Sequence, residues 1–238
     1  MVGLLPTQKE FENLAEKLGV SNSSHVVLIP AGENSTDFGS SARAYWTFKV
    51  FGHAKVSILD GGYKLWLKKY PSLISKGNTK KNIRGNFTAK FNASLYASTA
   101  DVAKVSGAKS DIILLDGRNK EQFVGEKKHK KAERFGHIPG AQLISQAKTY
   151  NPASNQLKNK TELNDLFSEV TSKPVISYCN TGHWAATNWF ALSEVLGNKN
   201  VKLYDGSMVE WTADASRKVD HNQSNLYKIK SFFSEIFG

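Results

Sequence analysis

Gly197-Asn198-Lys199-Asn200-Val201-Lys202-Leu203-Tyr204-Asp205-Gly206-Ser207, followed by Trp211, repeats an earlier stretch of the same chain. The earlier copy is Gly52-His53-Ala54-Lys55-Val56-Ser57-Ile58-Leu59-Asp60-Gly61-Gly62, followed by Trp66. Glycine, aspartate, glycine and tryptophan recur at one fixed offset of 145 positions. Upstream of each copy lies a stretch of helical period, Ala42 to Phe51 and Ala185 to Leu196. Upstream again is a short apolar run bounded by turn formers, Val26 to Ile29 and Val175 to Tyr178. Before those come two further helical patterns, Glu10-Phe11-Glu12-Asn13-Leu14 and Glu162-Leu163-Asn164-Asp165-Leu166. Each half therefore reads helix, strand, loop, helix, strand, loop. Strands that alternate with helices predict an α/β fold, a parallel sheet flanked by crossover helices.

The second half carries more in front of this pattern. Residues 99–106 read as a helix with Thr99 as its N-cap. Asp111-Ile112-Ile113-Leu114-Leu115 reads as a buried strand closed by Asp116-Gly117-Arg118, and the turn-rich Gly136-His137-Ile138-Pro139-Gly140-Ala141 follows. The first half lacks a counterpart for about 60 residues of this. The expectation is one complete domain, 93–220, preceded by an abbreviated copy, 1–70, either native in that form or a fragment of something longer. Pro71, Gly77, Gly85 and many polar residues mark 71–92 as a linker. Residues 221–238, ending in Phe232-Phe233-Ser234-Glu235-Ile236-Phe237, read as a docking helix or a loose tail.

Composition narrows the function classes. The chain has 238 residues, 40% of them apolar and 11% aromatic, enough for a real core and too many for an extended disordered chain. A single cysteine excludes an intrachain disulfide and a four-cysteine zinc site. No run approaches the roughly 18 apolar residues of a membrane span. Met1-Val2-Gly3-Leu4-Leu5 has no basic segment before it, so no export signal is visible. The cytoplasm is the default compartment, and the periplasm the alternative should a signal lie upstream. The surplus of 32 Lys and Arg over 21 Asp and Glu gives +11. Its densest runs are Lys127, Lys128, Lys130 and Lys131 around His129, and Lys80 and Lys81 near Arg84. With no RNA-binding aromatic motif and no zinc-finger spacing, this charge reads as solvated surface that draws in small anions. No nucleic acid, membrane, metal or organic cofactor is expected.

Cys179 follows the strand Val175-Ile176-Ser177-Tyr178 and opens the turn Asn180-Thr181-Gly182-His183-Trp184, ahead of a helix expected near Ala185. Open α/β sheets bind ligands at the C-terminal ends of their strands. Backbone N–H groups of the turn and the helix dipole both favour an anion, hence a thiolate of lowered pKa. The competing reading is a buried, inert cysteine. A cysteine phosphatase loop needs an arginine six positions on, where Ala185 stands. A thiol-protease base would have to be His183 or His137, and neither spacing is diagnostic.

Taken together, Asp116-Gly117-Arg118, Gly136 to Ala141, the loop opened by Cys179, and Tyr204-Asp205-Gly206-Ser207 with Trp211 resemble a rhodanese-type sulfurtransferase domain over residues 93–215. Residues 4–67, with Ala42-Arg43-Ala44-Tyr45-Trp46 and Leu59-Asp60-Gly61-Gly62, look like the back half of the non-catalytic first domain of tandem rhodaneses. The resemblance implies sulfur transfer through a Cys179 persulfide. The donor would be a small anion such as thiosulfate or 3-mercaptopyruvate, and the acceptor cyanide or a thiol. It implies that Asn180, Thr181, Gly182, His183 and Trp184 form an amide cradle. Arg118 would contact the donor or the loop, or else pair with Asp116. His137 would shape its turn, while Asp205 and Ser207 support the cradle. Trp66 and Trp211 read as core. The loop departs from the family. Neutral Asn180 and Thr181 with bulky His183 and Trp184 match neither the basic loops of thiosulfate-preferring members nor the small ones of mercaptopyruvate-preferring members. The abbreviated first unit adds two expectations: a sheet edge open to self-association, and a non-catalytic sulfur-carrier or protein-binding module as the alternative function.

Overall fold

The computed structural model describes residues 3–77 and 83–222. The first unit runs α1 (Gln8–Lys17), β1 (Val26–Leu28), α2 (Ser35–Val50), β2 (Val56–Ile58) and α3 (Gly62–Lys69). The second runs α4 (Thr99–Val105), β3 (Ile113–Asp116), α5 (Lys120–Phe123), β4 (Gln142–Leu143), β5 (Tyr150–Asn151), β6 (Gln156–Leu157), α6 (Lys160–Leu166), β7 (Val175–Tyr178), α7 (His183–Phe190), β8 (Val201–Leu203) and α8 (Ser207–Ala213). A π-helical turn, Ala191–Val195, prolongs α7.

The sheets confirm the parallel α/β reading. The second unit holds a four-stranded sheet in the order β4-β3-β7-β8, all pairs parallel. In the first unit β1 pairs with β2, also parallel, with Val26 opposite Val56, and neither has another partner strand among the described residues. The antiparallel β5–β6 hairpin lies outside both. Strand β7 is buried at every residue, as expected of a strand covered on both faces. Ser177 tolerates this because its hydroxyl donates to the Ala185 carbonyl at 3.0 Å.

Helix starts follow from local chemistry. Reciprocal capping boxes open α1 (Thr7 with Glu10), α2 (Asn34 with Asp37), α4 (Ser98 with Asp101) and α6 (Asn159 with Glu162). The cap of α4 is thus Ser98 and not Thr99, because the Asp101 carboxylate reaches back to the Ser98 N–H. Helix α7 starts at His183, two residues earlier than expected. Its N-cap is Gly182 at φ 83°, a left-handed position where no side-chain cap is made.

Helices α2 and α7 cross at Gly39, where an added Cβ would sit 3.2 Å from Thr187 Oγ1 and 3.3 Å from the His183 carbonyl. One hydrophobic core runs through both units, joining Phe11, Trp46, Phe48 and Val56 to Leu115, Leu163, Trp189 and Leu203. The joining stretch is not a free tether, for Phe87 and Ala89 enter this core. Trp211 is buried and Trp66 half-buried. Val219 packs on the second unit and Asp220 bridges to His137, while residues 223–238 of the expected tail lie outside the described residues. No helix among the described residues is long and apolar enough to cross a membrane.

Candidate functional site around Cys179

Strand β7 delivers Cys179 to the C-terminal edge of the sheet, and the turn to α7 folds back over it. The Gly182 N–H donates to Cys179 Sγ at 3.2 Å. Position 182 must be left-handed, and an added Cβ would collide with Arg43 Nη1, so glycine alone fits. The rest of the turn is tied to the start of α8. Met208 N–H donates to the Cys179 carbonyl and Val209 N–H to that of Asn180, both at 3.1 Å. Cys179 N–H donates to Ser207 Oγ at 3.0 Å, and the Ser207 hydroxyl donates to the Tyr204 carbonyl at 2.9 Å. Ser207 takes φ 51°, rare for a non-glycine residue.

The first unit repeats this frame without the thiol. Tyr63 N–H donates to the Pro30 carbonyl at 2.8 Å and Lys64 N–H to that of Ala31 at 3.1 Å. Pro30 stands where the second unit has Cys179.

Cys179 is 2% exposed and lines a cavity of about 280 Å³. Asn180, Thr181, His183 and Trp184 line it as well, with Gln122 after β3 and His129 from the lysine-rich run. Thr36 and Ser40 of α2 close it from the first unit. Trp184 Nε1–H donates to Thr36 Oγ1 at 3.2 Å, and Asn180 Nδ2 to Gln122 Oε1 at 3.2 Å. Thr181 Oγ1 meets His183 Nδ1 at 3.4 Å. Burial, then the nearby Arg43 charge, holds His183 below the ordinary histidine range. Burial, then Lys130, Lys131 and Lys128, does the same for His129.

Arg118 is placed elsewhere. It is 1% exposed, pairs with Asp116 through Nε and Nη2, and donates to the Gly136 carbonyl at 2.8 Å. Burial would lower its pKa, but the Asp116 charge reverses this and holds it above the ordinary value. Arg118 thus forms the pair with Asp116, and its side chain does not line the cavity. His137 likewise shapes its turn: Nδ1 meets the Phe123 carbonyl at 2.7 Å and the ring stacks on Phe123.

Asp205 lies under the loop, 1% exposed. Its Oδ2 accepts from Leu5 N–H at 2.7 Å and from Arg43 Nη2 at 3.4 Å. The pair is long, and burial outweighs it. Asp205 sits above the ordinary carboxylate range and Arg43 below the ordinary arginine range, each opposed by the other's charge. Arg43, Thr36, Gln122 and His129 were not among the expected site residues. Arg43 had one sequence signal, a charge within the otherwise apolar face of α2. No group of three or more His, Cys, Asp and Glu among the described residues is placed to hold a metal ion.

Comparison with known proteins agrees with this fold. Residues 98–214 match the model of the rhodanese-like domain. A Haloferax volcanii protein named as a thiosulfate sulfurtransferase is 36% identical over 217 residues, covering 86% of this chain and 72% of the relative. The sulfur carrier protein TtuD of Thermus thermophilus is 31% identical, covering 86% of this chain and 74% of its own. Among solved structures, SseA from Escherichia coli, a 3-mercaptopyruvate sulfotransferase, superposes with a TM-score of 0.73 at 29% identity, covering 87% of this chain and 75% of its own. EanB superposes with a TM-score of 0.80 at 21% identity, a likeness of fold alone, and this chain spans 55% of its length. The chain belongs to the rhodanese-type family of sulfurtransferases.

Proposed function

We propose that this chain moves sulfane sulfur from thiosulfate or 3-mercaptopyruvate to a thiol or cyanide through a persulfide on Cys179. The observation that carries the reading is the Gly182 N–H aimed at Cys179 Sγ at 3.2 Å, on the floor of a cavity sized for a small molecule. The thiolate attacks the outer sulfur of thiosulfate. A new S–S bond forms, the old one breaks, and sulfite leaves with its electron pair. An acceptor thiolate or cyanide then attacks the outer sulfur of the persulfide and releases the Cys179 thiolate. This is nucleophilic catalysis through a covalent intermediate. Both anionic states rest against the Gly182 N–H, a donor already in place that needs no reorganisation.

In this reading Cys179 is the nucleophile and residues 180–184 are the cradle. Ser207 and Asp205 hold the cradle in shape, and His137, Asp116 and Arg118 hold the neighbouring turns. The likeness to the H. volcanii thiosulfate sulfurtransferase and to SseA supports these two donors. Steady-state kinetics with each donor tests the reading: one donor should saturate with turnover abolished by Cys179→Ser, and no turnover with either overturns it. A sulfur-carrier role is the second reading, favoured by the likeness to TtuD. Self-association is a further proposal. The outer edge of β1 pairs with no strand among the described residues, and Val27 and Ile29 are 53% and 58% exposed there. A mass by sedimentation above that of one chain would support it.

A further inference from the structure

Arg43 belongs to α2 in the first unit, yet its guanidinium ends beneath the Cys179 loop in the second. It is 8% exposed, and its plane lies over the Trp46 ring at 4.7 Å. Nη2 donates to the Gly3 carbonyl at 2.6 Å and to Asp205 Oδ2 at 3.4 Å. Nη1 is buried and has no hydrogen-bond partner among the described residues. That orphan donor presses against Gly182, whose N–H in turn contacts the sulfur. The two contacts place Nη1 within about 8 Å of Cys179 Sγ. A buried guanidinium donor without an acceptor is costly, and the backbone that Nη1 meets is that of the Cys179 loop, at Gly182.

We propose that Arg43 is a positioning residue for the Cys179 loop, and the positive charge that stabilises the anionic sulfur held there, thiolate or persulfide. The first unit would then complete the site electrostatically while lacking a nucleophile of its own. The other charged and titratable groups around the sulfur do not fill this role. Arg118 is closed in its pair with Asp116. His183 and His129 are held towards their neutral forms by burial. Asp205 and Glu210, beyond β8, carry the opposite sign. The inference rests on the persulfide reading only for the persulfide state; the thiolate state can be measured without any sulfur transfer.

The test is the pH dependence of Cys179 alkylation by iodoacetamide in the whole chain, with folding checked by near-ultraviolet circular dichroism. Arg43→Met should raise the midpoint of the alkylation profile by about one pH unit, a tenfold loss of thiolate at neutral pH. Arg43→Lys, which keeps the charge, should shift it by less than half as much. Should the methionine variant not fold, Arg43→Gln makes the same comparison. An unshifted midpoint in a folded neutral variant overturns the proposal. So does a lysine variant that shifts as far as the neutral one, because packing and not charge would then be responsible. Absence of sulfur uptake by the unaltered chain would count against the transfer reading and leave the midpoint comparison intact.

Discussion

Asp60 and Asp205 hold the same place in the two units, 145 positions apart, and each carboxylate is gripped by the opposite unit. Asp60 accepts from Gln156 Nε2 at 3.0 Å and from Leu157 N–H at 3.1 Å, both in the hairpin of the second unit. Asp205 accepts from Leu5 N–H and Arg43 Nη2 of the first. The units are thus stitched together at two points. The stitch at Asp205 lies directly under the loop that carries Cys179.

Arg118→Met should destabilise the protein without altering donor recognition. It leaves the Asp116 carboxylate, fully buried, without its cation, a loss of about 3–5 kcal/mol for a broken buried pair. Thermal unfolding should show the loss. Donor KM measured well below the transition should stay within about twofold, and a large rise in KM would place Arg118 in contact with donor after all.

Ser207→Ala should loosen the cradle. The Cys179 N–H would lose its acceptor in a closed site, a cost of about 1–3 kcal/mol. Slower sulfur uptake should accompany the lower denaturation midpoint. Ser207→Gly relieves the positive φ but restores no acceptor, so it should not rescue uptake.

Gly182→Ala should be more damaging at the site than any other single-methyl addition in the loop. The left-handed backbone and the collision with Arg43 Nη1 act together. The loop must shift, taking the Gly182 N–H away from the sulfur. Alkylation of Cys179 at fixed pH reads this, and a rate equal to that of the unaltered chain would contradict the cradle geometry.

Acid should weaken the fold beginning near pH 6.5. Burial is the first cause that holds His53, His129 and His183 below the ordinary histidine value. The unfolded chain takes up these protons near pH 6.5 and the folded chain does not, so the unfolded state binds more protons. Their contribution is complete above that pH and is lost as pH falls towards the folded values. Asp205, held above its ordinary value, works in the opposite sense. His183→Gln isolates one contribution. The urea midpoint of this variant should fall less between pH 7.5 and pH 5.5 than that of the unaltered chain. An equal fall would show that His183 takes no share.

Much of this architecture is legible in residue order because the signals are local. Val175 to Tyr178 reads as a buried strand from its unbroken apolar run, and the turn formers after it put Cys179 at a strand end. Asp60 and Asp205 stand out because the surrounding glycines and tryptophans repeat. The start of α7 is not legible. A left-handed glycine caps it, so His183 and Trp184 look like loop. Ser98 and Thr99 compete for one cap with equivalent hydroxyls, and only the reach of Asp101 decides between them. Arg118 and Arg43 show the larger limit. Each is an arginine near an aspartate in some frame, but Asp116 is two positions from Arg118 while Asp205 is 162 from Arg43. Which arginine lies under the loop depends on how α2 docks on α7, and no local pattern encodes that crossing.

The most direct test is the intact mass of the protein before and after brief exposure to thiosulfate, and separately to 3-mercaptopyruvate, beside Cys179→Ser. Persulfide chemistry predicts a gain of one sulfur atom with at least one donor, absent in the serine variant and reversed by cyanide. A folded protein that gains no sulfur from either donor, or gains it equally in the serine variant, would contradict it.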